Sequence, residues 1–60
     1  MQRYSLEVIW NGQLVDSFGF YSENDEIATE RAKGWIDFDE GEHGVLYDQK
    51  SGSQIKVIKK

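Results

Sequence analysis

One stretch, Ser22 to Phe38, carries an apolar rhythm of about 3.6 residues, and the segments on either side of it alternate in strand fashion. Ile27, Ala28, Arg31, Ala32, Trp35 and Ile36 fall on one helical face, while Glu26, Glu30, Lys33 and Asp37 fall elsewhere. Ser22 reads as the N-cap, and Glu23, Asp25 and Glu26 put negative charge where the helix dipole favours it. A chain with one such stripe can cover only one face of whatever sheet its strands make. Ala28 and Ala32 are small enough to bring the helix backbone close to that sheet, with Ile27, Trp35 and Ile36 filling the space on either side.

The strands read as Tyr4–Trp10, Gln13–Tyr21, Val45–Tyr47 and Gln54–Ile58. Asn11-Gly12 joins the first two, because both residues tolerate positive φ. Two registers compete. A two-residue loop pairs Trp10 with Gln13 and Val8 with Val15. A three-residue loop with a bulge at Gly12 pairs Val8 with Leu14 and Tyr4 with Phe18. The second gathers Tyr4, Leu6, Val8, Leu14, Phe18 and Phe20 on one face and is preferred, since register follows the buried face. It leaves Asp16 on that face, at an edge or in need of a partner. Gly19 marks a bulge or a close approach of the helix, and Gly34 lies inside the helix at a cost of about 1 kcal/mol. Gly41 is the expected left-handed residue after the helix. Asp48 to Gly52 is turn chemistry, Asp first and Gly last.

The expected fold is therefore α+β: one domain over residues 1–60, ordered ββαββ, with a four-stranded antiparallel sheet and one helix on one face. If the helix returns the chain along the sheet, antiparallel pairing needs strand order 2-1-3-4 or 1-2-4-3. The first is favoured, because apolar strand 1 suits the centre and the lysines of strand 4 suit an edge.

The chain has 60 residues and no cysteine, so no disulfide braces it and no thiolate cluster holds a metal. The net charge of −4 is uneven: residues 23–42 hold eight acids against Arg31 and Lys33, or −6, whereas residues 43–60 hold four lysines against Asp48, or +3. Neither a basic-then-apolar leader nor an apolar run of membrane length is present, and the chain reads as cytoplasmic.

The candidate chemistry is thin. Asp37-Phe38-Asp39-Glu40-Gly41-Glu42-His43 is the densest ligand-type run, but a calcium loop started at Asp37 puts Gly41 fifth, Glu42 sixth and Asp48 twelfth, against the required spacing. One histidine is too few for zinc, so no metal site is assigned and the run reads as a solvated helix exit. His43 lacks an evident nucleophile, Ser51 and Ser53 sit in the distal turn, and so small a domain rarely encloses a pocket. No catalytic residue and no enzyme activity are expected. The strand-to-helix junction Tyr21–Asp25 has no glycine and several negative charges, which argues against phosphate and nucleotide cofactors, and no small-molecule substrate is expected. Trp10, Tyr21 and Tyr47 are possible exposed aromatics, but the acidic balance argues against direct nucleic-acid binding.

What remains is a binding module. Ile9, Val15, Val45 and Tyr47 fall at the parity that the helix cannot cover, and an uncovered apolar face marks an interface. The first expectation is a protein that pairs with itself or another protein through that face. The alternative is an acidic inhibitor, whose exposed Glu23, Glu26, Glu30 and Asp37 imitate a nucleic-acid backbone in a basic groove.

Overall fold

The computed structural model describes residues 1–38 and 42–59. Strands β1 (Gln2–Trp10) and β2 (Gln13–Ser22) are followed by helix α1 (Asp25–Phe38) and strands β3 (His43–Asp48) and β4 (Gln54–Lys59). The sheet is antiparallel in the order β2-β1-β3-β4, with helix α1 packed on it. Apolar β1 lies inside the sheet, and β4, with Lys56 and Lys59, is an edge.

The core follows from the parity of the strands. Tyr4, Leu6 and Val8 of β1, Phe20 of β2, Leu46 of β3 and Ile58 of β4 meet Ala28, Ala32 and Ile36 of the helix, and all are buried. Phe18, Trp35 and Ile55 pack against this cluster. The Trp35 ring stands edge-on to Phe18 and Phe20, at 5.1 and 4.7 Å between centroids. Such pairs contribute about 1 kcal/mol beyond their buried area. Trp35 stays half-buried, whereas Ile36 is fully buried. Ile27 is 38% exposed and does not fill the space beside the alanines. Arg31 takes part in that packing instead, its guanidinium 5.2 Å from the centroids of both Phe20 and Trp35.

The first hairpin departs from the preferred register. Its turn has two residues, Asn11 at φ 54° and Gly12 at φ 75°, and pairs Trp10 with Gln13. The ladder then slips by one residue, so that Ile9 faces Leu14 and Val8 faces Asp16, with Val15 as the extra residue. A bulge after the tight turn restores the favoured parity for Phe18 and Phe20, which face Leu6 and Tyr4. The bulge therefore lies at Val15 and not at Gly12, and Leu14 leaves the core parity. Asp16 keeps that parity on the edge strand and is exposed. A second slip between Leu46 and Tyr47 makes Ile55 the extra residue of β4. Ile55 thereby packs on the core although Val57, two residues on, faces away.

The helix entry is also corrected. Asn24 is the cap: its Oδ1 accepts from the Ile27 amide at 2.9 Å and its carbonyl from the Ala28 amide at 3.0 Å. Ser22 cannot cap, because β1 begins at Gln2 and pairs it with Ser22, so the strand runs two residues past Phe20. Ser22 is 2% exposed and its hydroxyl has no partner among the described residues.

Gly19 is neither a bulge nor a helix seat. It lies opposite Ser5, and a Cβ there would touch the Arg3 guanidinium at an ordinary 3.5 Å. The helix seat is Gly44, where a Cβ would stand 2.6 Å from Ile36 Cδ1 and 3.0 Å from Leu6 Cδ1. Gly34 meets nothing within 4 Å. The expected left-handed residue Gly41 lies outside the described residues.

Candidate interaction surface

The register fixes what the uncovered face presents. Arg3, Ser5, Glu7 and Ile9 of β1 alternate with the buried residues, so they face away from the helix. Their partners on β2 are Tyr21, Gly19, Ser17 and Leu14. On β3, Tyr47, Val45 and His43 lie beside Ser5, Glu7 and Ile9. Val57 and Lys59 lie beside Val45 and His43. Leu14, Ile9, Val45 and Val57 thus run diagonally across all four strands, with Tyr47 next to Val45.

Three of the four expected contact residues, Ile9, Val45 and Tyr47, are brought together here and are half-buried by their neighbours in the sheet. Val15, the fourth, sits in the bulge and is 53% exposed. Leu14 and Val57 were missed. The two-residue turn places Leu14, and strict alternation from buried Ile58 places Val57. The face carries both charge signs, Arg3 and Lys59 against Glu7. At its end, the Arg3 guanidinium lies 5.5 Å from the Tyr21 ring centroid.

The acidic residues are arranged differently. Glu23, Glu26, Glu30 and Asp37 are all exposed. Glu30 Oε1 lies 3.5 Å from Lys33 Nζ, an exposed pair that contributes well under about 1 kcal/mol. Asp25 is exposed as well, but it also reaches the sheet. The buried Tyr4 hydroxyl donates to its Oδ1 at 2.7 Å and shares the same proton with Gln2 Oε1 at 3.0 Å. Burial first, then the Asp25 hydrogen bond and the charges of Asp25 and Asp48, push the Tyr4 hydroxyl from 10.0 up to about 12. These groups anchor β1 to the first helical turn.

Around them the surface is only hollowed. One depression is lined by Gln2, Asn24, Asp25, Glu26 and Asp48, and a second by Arg3, Tyr21, Asp48 and Lys50 among others. His43 is in β3, between Ile9 and Lys59. Ser51 Oγ accepts from the Ser53 amide within the β3–β4 turn. Among the described residues no three His, Asp or Glu side chains gather as a metal site, and no helix is long and apolar enough to cross a membrane. The Asp39–Gly41 part of the acidic helix exit lies outside the described residues.

Comparison of the chain with protein-family models, with curated proteins and with solved structures finds no match.

Proposed function

We propose that this chain is a small non-enzymatic interaction module that binds protein through the sheet face turned away from the helix, its simplest partner being a second copy. The observation that supports this reading is the diagonal Leu14, Ile9, Val45 and Val57, with Leu14 56% and Val57 40% exposed. Apolar residues left uncovered across a sheet face favour association. Two such faces stack at about 10 Å. The mixed charges suit a second copy better than a strongly charged groove, because Glu7 of one copy can meet Arg3 or Lys59 of the other.

Sedimentation across a concentration series tests it. The expected result is a dimer that Ile9→Lys with Val57→Lys returns to monomer without loss of folding. A wild-type chain that stays monomeric at ~1 mM overturns self-association, since that bounds the free energy at about −4 kcal/mol.

The acidic inhibitor is the second reading, supported by the exposure of Glu23, Glu26, Glu30 and Asp37. A partner captured by that surface should be released steeply by salt, and one captured by the open face should not.

A further inference from the structure

The two edges of the sheet are built differently. β4 has six residues and carries Lys56 and Lys59. β2 has ten residues, no base and one acid, with Phe18, Phe20 and Tyr21 along it. A long edge strand of this composition is a template for another strand unless something closes it.

The hydrogen bonds on the far side of β1 show which backbone groups of β2 point outward. The carbonyls of Arg3 and Ile9 accept from the amides of Gln49 and Glu42, so the odd-numbered residues of β1 bond toward β3. Tyr4, Leu6 and Val8 then bond toward β2, through Phe20, Phe18 and Asp16. Ser17, Gly19 and Tyr21 are left with their N–H and C=O groups directed away from the sheet. Two of those groups are already taken by side chains. The Ser17 amide donates to Asp16 Oδ1 at 2.8 Å, and the Tyr21 carbonyl accepts from Arg31 Nη1. Arg31 is held there by the rings of Phe20 and Trp35 beneath its guanidinium.

We infer that Asp16 and Arg31 close the outer edge of β2 against strand addition, and that the strand they hold off is β2 of a second copy. The vacant groups centre on Gly19, which has no side chain to obstruct approach. Antiparallel pairing of two β2 strands about Gly19 sets Ser17 opposite Tyr21, Phe18 opposite Phe20 and Asp16 opposite Ser22. Every outward group then meets an outward group, aromatic meets aromatic, and the two acids do not oppose each other. Both guards must leave for the full set of bonds to form.

The test compares Asp16→Ser, and Asp16→Ser with Arg31→Met, against the parent, all carrying Ile9→Lys and Val57→Lys so that the open face takes no part. Methionine keeps an apolar stem over the Phe20 and Trp35 rings and removes the donors. Sedimentation across a concentration series should show the double variant associating at least about tenfold more tightly than the parent, the single variant shifting less in the same direction, and the Gly19 amide exchanging more slowly as concentration rises. Gly19→Pro removes the central N–H without touching the bonds to β1, and should return the double variant to monomer. Unchanged self-association in the folded double variant, or in Asp16→Ser where the double variant does not fold, overturns the inference. So does association that survives Gly19→Pro.

Discussion

Val45 and Leu46 are neighbours in β3 and live in different environments. Leu46 is fully buried beneath the helix, while Val45 lies on the open face with Glu7 on one side and Val57 on the other. The chain spends similar apolar residues on both faces of one sheet, but one face packs under the helix and the other is left uncovered. What separates them is cover: a helix of 14 residues spans one face only. Substitutions that respect this division should separate stability from association.

The largest effect belongs to the covered face. Leu46→Ala should cost about 2–5 kcal/mol in denaturant unfolding, enough to unfold much of so small a domain. Val45→Ala should cost under about 1.5 kcal/mol and should weaken association instead. Equal losses of stability would erase the distinction.

Alkali should sharpen it next. Tyr4 must stay neutral in the fold, and its pKa is raised from 10.0 to about 12. The stability it contributes is present below pH 10 and is lost as pH climbs through 12, because the unfolded chain gives up this proton first. Tyr4→Phe should flatten the stability profile between pH 10 and 12. A profile unchanged by that substitution would place the hydroxyl in water.

The glycines give effects of opposite sign. Gly44→Ala drives a methyl group into Ile36 and Leu6 under the helix and should cost about 1–3 kcal/mol. Gly34→Ala meets open space inside an exposed helical turn and should gain about 0.5–1 kcal/mol in thermal unfolding. The smallest contrast is at the helix entry. Asn24→Ala should cost about 1 kcal/mol as a lost cap. Ser22→Ala removes a buried hydroxyl without a partner and should leave the melting temperature level or higher.

Element order and strand order were legible because they rest on coarse signals: one helical stripe, the Asn11-Gly12 turn and the lysines of β4. Most of the open face was legible by parity alone, through Ile9, Val45 and Tyr47. What escaped depends on single-residue slips. Nothing in Leu14-Val15-Asp16 announces that the ladder will absorb an extra residue there: the two-residue turn puts Leu14 on the open face, and the slip then returns Phe18 and Phe20 to the core parity. The true cap escaped because Ser22 and Asn24 are equally good caps, and only the length of β1 decides between them. Gly44 escaped because a close approach is a property of the helix above it, carried by Ile36 and not by the local sequence of β3.

The strand order also dictates how the chain reaches its fold. Each hairpin joins neighbours in sequence and can close in about 1–10 μs. The pairing of β1 with β3 brings Leu6 to Leu46 across about 40 residues and must wait for the helix between them to be placed. Folding speed falls as such distant contacts multiply, so this single seam should set the rate. Substitutions along it, at Leu6 or Leu46, should slow refolding, whereas changes at the two turns should mainly alter the unfolding rate.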